Sequence, residues 1–213
     1  MGYMKRHMAP KKWPIHRKGT KYVVKPMSGE VPVLILLRDM LKIAQNKKEV
    51  KRAIHANQVL LNQAPVKDYK QGASLFDVFT IVSTKENYRL VLGENKKFAL
   101  DKIAEKEANK KIAKVANKKT LNGKKVQLNL SDGKNFLSDL KCKTKDSVVV
   151  NLKENKIEKC LEFKEKAKVV VIGGKHTGES GVIEKIDEER KMVKVKEGDK
   201  SAQVLIKQIM VVE

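Results

Sequence analysis

Apolar positions in the first half of the chain follow a helical period first and a strand period afterwards. Residues 33–41 have helical spacing behind Pro32, and Asn46 with Glu49 has the form of a capping box that opens a second helix. Short strands are expected at residues 59–62 and at Val66, on either side of a turn at residues 63–65, and again at residues 75–81 and 88–92. Two helices followed by short strands predict a small α+β module over residues 35–95.

The second half of the chain predicts strands for the most part. Residues 96–125 are rich in lysine and begin with helical spacing near Leu100, so a helix is expected there. Strands are expected at residues 126–130, 147–152, 157–163, 168–172, 181–183, 192–195 and 204–212. The last four of these predict a small antiparallel barrel.

The first thirty residues show no useful period. They contain three prolines, three glycines and the one tryptophan of the chain, and they predict an extended arm without a core of its own. Trp13 has two interpretations. It is either a stacking surface for a base or a hydrophobic pin that docks the arm, and the pin is favoured.

The predicted fold is therefore α+β and multi-domain. Its expected parts are a basic N-terminal arm at 1–34, the α+β module at 35–95, a lysine-rich segment with a β-rich central domain at 96–165, and a C-terminal β-barrel domain at 166–213.

The charge of the chain is large and unevenly placed. Its 213 residues carry 47 Lys and Arg against 25 Asp and Glu, a formal net charge of +22. Residues 1–30 hold eight Lys and Arg and one acid, which is +7, while residues 96–125 hold eleven and three, which is +8. Blocks of nearly one sign suit a bound polyanion, so contact with RNA or DNA is favoured over a solvated linker or a nuclear-targeting run.

Other function classes lack their signals in this sequence. The longest apolar stretch, residues 31–37, is far shorter than the roughly 20 residues that span a bilayer, and no apolar segment follows the first basic residues, so neither a membrane protein nor a secretory signal is expected. Cys142 and Cys160 have no partners at zinc spacing and predict reduced, buried thiols in the cytoplasm. Without a nucleophile–base set, we expect no enzyme, catalytic residue, metal, cofactor or small-molecule substrate.

The most specific local signal is a strand–glycine–strand segment over residues 169–183. Gly174, Gly178 and Gly181 are expected to allow positive φ angles and a close approach of the backbone to a partner. Lys175 is not followed by Ser or Thr, and a strand comes next, so the segment is not a phosphate-binding P-loop.

The order of these segments resembles one protein family. The strand–glycine–strand unit is similar to the KOW motif, residues 35–95 resemble the S4 RNA-binding domain, and residues 4–13 (MKRHMAPKKW) look like the N-terminal signature of the S4e ribosomal proteins of archaea and eukaryotes. The resemblance covers essentially the full chain, and the short length favours an archaeal source. It implies an arm, an S4-like domain, a central β domain and an SH3-like KOW barrel, in that order.

The resemblance implies a structural constituent of the small (30S) ribosomal subunit. Such a protein binds and organises ribosomal RNA in the cytoplasm, beside neighbouring small-subunit ribosomal proteins. The RNA-binding residues that the resemblance implies are Lys5, Arg6, Lys11, Lys12, Trp13, Lys48, Lys51, Arg52, Lys175 and His176. The charge pattern adds Arg17, Lys18, Lys110, Lys111, Lys118 and Lys119.

Two alternatives come from other classes. A KOW-containing transcription factor is disfavoured by the S4-like module, and an S4-domain RNA-modifying factor is disfavoured by the missing catalytic set. One departure from the family concerns the S4 hairpin, which usually turns at Asp-Gly or Asn-Gly. Here Asn62, Gln63 and Ala64 follow the first strand, so the geometry of that turn is left open.

Overall fold

Strands account for most of the regular structure of this protein. The computed structural model describes residues 2–93, 95–121, 125–138, 140–198 and 200–212. The chain divides into two compact units, Met1–Val91 with Lys97–Asn109 and Leu92–Lys96 with Lys110–Glu213. Apart from short 3-10 turns, the helices of the described residues lie between residues 33 and 55, so the fold is richer in β-structure than the α+β expectation.

The N-terminal segment is folded into the first unit. Strand β1 (Tyr3–Lys5) pairs antiparallel with β2 (Tyr22–Val24). Trp13 is 2% exposed, and Val23 and Val24 are buried as well. The interpretation of Trp13 as a pin is confirmed. The expectation of an extended arm is wrong, because these apolar side chains bury the segment against the rest of its unit.

The two predicted helices are present with altered detail. The first is α-helical over Val33–Ile35 (α1) and continues as a π-helical turn over Leu36–Met40, while Pro32 caps it in extended conformation instead of occupying its first turn. The second is α2 (Lys47–His55). The side chain of Asn46 accepts hydrogen bonds from two backbone N–H groups of its first turn, which confirms the predicted cap.

Seven further strands follow between residues 31 and 103. They are β3 (Val31–Pro32), β4 (Val59–Leu61), β5 (Ala64–Pro65), β6 (Gly72–Ala73), β7 (Val78–Ile81), β8 (Glu86–Leu92) and β9 (Phe98–Ile103). Strands β3 and β6 form a two-stranded ladder, and the other five form a sheet in the order β5-β4-β7-β8-β9. The buried sides of α1 and α2 belong to the same unit as this sheet.

The hairpin between β4 and β5 turns at Asn62 and Gln63. Both residues have positive φ angles, 52° and 64°, as a two-residue hairpin turn of type I′ requires. The carboxamide of Asn62 donates to the Asp77 carboxylate over 2.9 Å and accepts from the Val78 N–H over 3.0 Å. The turn expected at residues 63–65 therefore lies one residue earlier, and Asn62 holds it without a glycine.

The helix expected near Leu100 is absent. That residue lies in β9, and the lysine-rich segment continues as β10 (Lys110–Thr120). In β10 the side chains of Lys111, Ala113 and Val115 are buried in alternation. This period of two determines a strand, because only a strand places every second residue on the same face.

A five-stranded antiparallel sheet forms the first part of the second unit. Its strands are β10, β11 (Val126–Leu130), β12 (Asn135–Leu137), β13 (Ser147–Asn151) and β14 (Lys156–Leu161), in the order β12-β11-β10-β13-β14. A register shift between Val115 and Asn117 divides β10, which pairs with β13 before it and with β11 after it. Cys142 is buried in the core of this sheet as expected, and Cys160 is half-buried.

A second five-stranded sheet completes the unit. Its strands are β15 (Lys168–Val171), β16 (Ser180–Asp187), β17 (Met192–Glu197), β18 (Lys200–Leu205) and β19 (Ile209–Val211), in the order β18-β17-β16-β15-β19. The strands expected at residues 168–172, 181–183 and 192–195 are thus confirmed, whereas the single strand expected at residues 204–212 is divided between β18 and β19 by a 3-10 turn over Ile206–Gln208. The amine of Lys114 on β10 donates to the backbone carbonyls of Ile206 and Ile209 over 2.9 and 2.5 Å, which joins the two sheets.

Two kinds of structure are absent from the described residues. No described helix combines the length and apolar composition that crossing a bilayer demands. Within the same residues, His, Cys, Asp and Glu side chains form no group of three or more that could hold a metal ion.

Candidate nucleic-acid interface

The loop that joins β1 to β2 is organised by Arg6. Its guanidinium donates to the carbonyls of His16 and Thr20 over 2.7 Å each, and to the Thr20 hydroxyl over 2.8 Å. These bonds close the loop across ten to fourteen residues of sequence. Arg6 therefore shapes the basic surface, and its donors are largely used within the loop.

An open cleft of about 430 Å³, here called the arm cleft, lies on this loop. Its lining residues are Arg6, His7, Ala9, Pro10, Lys11, Trp13, Ile15, His16, Arg17 and Lys97. Six of these described residues are Lys, Arg or His, and none is acidic. The sequence contains no Asp or Glu before Glu30, so the arm supplies no negative charge to oppose an anion in the cleft.

The arm residues predicted from the sequence occupy different positions. Lys11 and Arg17 line the arm cleft and are exposed, while Lys5 and Lys18 are exposed on the adjoining groove. Lys12 is half-buried, and its backbone carbonyl accepts the N–H of Phe98 over 2.9 Å. That backbone contact brings Lys97 to the cleft.

Trp13 does not offer its ring to RNA. The side chain is 2% exposed, and its indole N–H donates to the Glu30 carbonyl over 2.9 Å. Its place among the RNA-binding candidates is corrected for this reason, because a base can stack only on an accessible aromatic face. Trp13 supports the floor of the arm cleft from within.

The start of α2 presents a second group of cations. Lys48, Lys51 and Arg52 are exposed on its first turns, where the positive end of the helix dipole adds to their charge. The side chain of Lys47 is held by contacts within the protein, since its amine lies 2.6 Å from the Tyr3 hydroxyl and 4.5 Å from the Tyr69 ring centre. The hydrogen bond to Tyr3 raises the pKa of Lys47 and lowers the pKa of the Tyr3 hydroxyl.

The candidate lysines of β10 separate into three environments. Lys111 is 2% exposed and forms an ion pair with Asp132, so its selection as an RNA contact is wrong. Burial raises the pKa of Asp132, but the charge and hydrogen bond of Lys111 outweigh it, and the net shift is downward. Lys110 is exposed and pairs with Glu158 at 2.9 Å. Lys118 and Lys119 lie in the exposed end of the strand beyond the register shift.

The glycine-rich loop between β15 and β16 is held by its own backbone. Gly174 and Gly178 have φ angles of 90° and 92°, as expected. Gly181 does not need a positive φ; a Cβ there would lie 2.5 Å from the Lys196 carbonyl oxygen, so close strand packing requires the glycine. In this loop Lys175 is exposed, while the half-buried His176 contacts the Glu179 carboxylate at 2.8 Å. Lys175 is the more available cation.

Three family models match the chain. Residues 84–157 match the ribosomal family S4e, residues 3–29 match the RS4NT domain, and residues 165–207 match the KOW motif. The small ribosomal subunit protein eS4 of Methanocella arvoryzae is 40% identical over 190 residues, which cover 86% of this chain and 80% of that protein. The chain belongs to the S4e family of ribosomal proteins. The family resemblance predicted from the sequence is confirmed.

Other S4e proteins agree with this assignment. The eS4 protein of Nanoarchaeum equitans is 38% identical over 195 residues, covering 86% of this chain and 83% of its own length. The crystal structure of the 30S ribosomal protein S4e from Thermoplasma acidophilum superposes with a TM-score of 0.74 at 26% identity, and the match covers 85% of this chain and 94% of that one. This S4e chain is therefore a small-subunit ribosomal protein with a KOW segment.

Sequence reasoning missed several residues of the S4e arm surface. Lys97 reaches the arm cleft only through the backbone contact between Phe98 and Lys12, which leaves no local signal. His7 and His16 are within the basic arm and could have been included on charge context alone. The exposed aromatic side chains of the arm are Tyr3 and Tyr22, and the alternation of β1 is too short to reveal them.

Proposed function

We propose that this S4e protein acts as a structural constituent of the small subunit by clamping ribosomal RNA through the arm cleft and the start of α2. The observation that carries the proposal is the cleft itself, an open concavity lined by six basic or imidazole side chains and by no acid among its described residues. Lys11 and Arg17 bind phosphates there, and Arg6 keeps the loop in shape. Lys48, Lys51 and Arg52 bind a second stretch of backbone.

The chemistry of this surface suits a folded RNA. Lysine and arginine that neutralise phosphates release condensed counterions, which gives affinity without sequence preference. Paired RNA hides its base edges in a narrow major groove, so such a surface recognises the course of the backbone. The exposed Lys118, Lys119 and Lys175 are further contacts in this proposal.

The division of the chain into domains is part of the same proposal. Residues 35–95 act as an S4-like module, and the strand order β18-β17-β16-β15-β19, with a 3-10 turn before β19, supports an SH3-like barrel for the KOW domain over residues 166–213. Residues 1–34 and 96–165 are the arm and the central part. The protein works in cytoplasmic ribosomes beside neighbouring ribosomal proteins, by binding and without catalysis.

A salt titration of the full-length protein on small-subunit ribosomal RNA tests the clamp. The double variant Lys11→Ala with Arg17→Ala is expected to lower affinity on the order of tenfold and to reduce the salt slope by about two. The matched control is Lys153→Ala with Lys156→Ala, which removes the same charge from two exposed lysines, one in the turn after β13 and one at the start of β14. Equal losses in both double variants would contradict a clamp located at the arm cleft.

A further inference from the structure

The hairpin of β1 and β2 exposes two tyrosines on one face. Tyr3 is 51% exposed and Tyr22 is 55% exposed. In the register of the hairpin, Lys5 lies opposite Tyr22 and Tyr3 lies opposite Val24. Residues that face each other across a ladder share a face, as do residues two apart on a strand, so both tyrosines are neighbours of Lys5 on this face. The fourth residue of the face, Val24, is buried, so its open part consists of Tyr3, Lys5 and Tyr22. The two rings are diagonal neighbours, with Cα atoms about 7–8 Å apart.

Cations border both rings. The amine of Lys21 lies 5.7 Å from the ring centre of Tyr22. The amine of Lys47 lies 5.3 Å from the ring centre of Tyr3 and hydrogen-bonds its hydroxyl, which orients the ring. Because Lys5 lies beside both tyrosines, phosphates on either side of a stacked base would meet an amine within the same patch.

A third tyrosine, Tyr69, has a buried ring and serves as a comparison for Tyr3 and Tyr22. Tyr69 is 9% exposed and has the amines of Lys47, Lys51 and Lys70 within 4.5–5.5 Å of its ring centre. Its ring is covered by the cations that contact it. Tyr22 differs, because more than half of its surface is open and Lys21 is the one lysine among the described residues that lies over the ring.

We propose that this hairpin face is a stacking platform for unpaired nucleotides of ribosomal RNA, with one base on Tyr22 and a neighbouring base on Tyr3. The diagonal separation is about twice the 3.4 Å rise of stacked bases, which suits two nucleotides splayed apart. Stacking on aromatic rings accepts every base, and unpaired loops are where RNA offers bases for it. The proposal rests on the proposed function and adds that the RNA at this hairpin is single-stranded.

The test uses the full-length protein and a twelve-nucleotide RNA with 2-aminopurine at its centre, offered single-stranded and as a duplex. Tyr22→Leu is expected to weaken single-strand binding about tenfold, within the 5- to 150-fold range for one stacked base, and to change duplex binding less than twofold. Tyr22→Phe keeps the ring and is expected to bind like the unmodified protein. Both proteins that keep the Tyr22 ring should quench the 2-aminopurine fluorescence, whereas Tyr22→Leu, which keeps only the ring of Tyr3, should quench it less.

Controls separate the possible failures. Met27→Leu changes a side chain that is 72% exposed outside the hairpin and is expected to leave both affinities unchanged. Circular dichroism checks folding, and Tyr22→Thr, which favours a strand, replaces Tyr22→Leu if that variant unfolds. If the variant without the Tyr22 ring bound and quenched the single-stranded RNA as well as the unmodified protein does, the platform would be overturned. A defect seen only in assembled subunits would also overturn it, because it would assign the Tyr22 ring to a contact with another protein. If the unmodified protein bound neither RNA, the proposed clamp would fail with it.

Discussion

The indole N–H of Trp13 donates a hydrogen bond to the backbone carbonyl of Glu30 over 2.9 Å. This bond joins the basic loop to the segment that leads into β3. Because the ring itself is buried, the loop and the core of the first unit are stabilised together. The shape of the arm cleft therefore depends on a buried side chain.

Removing the Trp13 ring should lower the stability of the first unit and should not act by removing a direct contact with RNA. Trp13→Ala is expected to lower the free energy of unfolding by about 3–5 kcal/mol, and Trp13→Phe by less, since phenylalanine refills most of the cavity. Urea denaturation followed by circular dichroism measures this. Met27→Ala, at an exposed position, should leave the free energy of unfolding unchanged. An alanine variant that kept full stability and lost only RNA affinity would assign Trp13 to stacking instead.

Two of the lysine environments on β10, the buried Lys111 and the exposed Lys118 and Lys119, should separate stability from binding. Lys111→Met leaves Asp132 buried without its ion-pair partner and is expected to cost about 3–5 kcal/mol of unfolding free energy. Lys118→Ala with Lys119→Ala should keep the unfolding free energy within about 0.5 kcal/mol and weaken RNA binding. Thermal melting and filter binding of both variants check the division. If Lys111→Met kept its stability and lost RNA affinity, Lys111 would belong to the RNA-binding surface instead.

Lys51 and Arg52 should contribute to affinity without contributing to sequence preference. Both side chains are exposed on α2, so we expect Lys51→Ala with Arg52→Ala to weaken binding by a similar factor for RNAs of different sequence. A panel of RNA hairpins with equal length and varied sequence measures this. A loss confined to one sequence would indicate base recognition by this helix.

The stability of the second unit should depend on pH through Lys114. Burial lowers the pKa of this amine to about 8 from the usual 10.5, and nearby Lys145 adds to the effect. Since the folded pKa lies below the unfolded one, folding releases a proton, and this contribution to stability increases as the pH rises from 8 towards 10.5. Between pH 8 and pH 10.5, the free energy of unfolding of the unmodified protein should therefore increase relative to that of Lys114→Met. A difference independent of pH would contradict the shifted pKa.

Local patterns predicted a large part of this fold. The cap at Asn46, the strands from Val126 onwards and the two loop glycines with positive φ follow from short-range geometry that the sequence displays. The helix expected from Leu100 onwards is absent: Leu100 lies in β9, and further along the chain the period of two at Lys111, Ala113 and Val115 places those residues in β10. The longer alternation decides, since it buries a continuous face of the sheet.

The candidate site was harder to predict than the fold. Lys11, taken from the family resemblance, and Arg17, taken from the charge pattern, both line the arm cleft. Charge alone does not distinguish them from Lys111, whose side chain is buried. Lys97 joins the cleft through a backbone contact between distant segments. Such contacts depend on tertiary packing, which local spacing does not encode.

The central claim is that the arm cleft holds this S4e protein on small-subunit ribosomal RNA. Sucrose-gradient sedimentation of small subunits through increasing salt tests it most directly, with the unmodified protein, Lys11→Ala/Arg17→Ala and Lys153→Ala/Lys156→Ala compared. The account predicts stoichiometric retention of the unmodified and control proteins after a high-salt wash, and release of the cleft variant at lower salt. Equal retention of all three proteins at every salt concentration would contradict the claim.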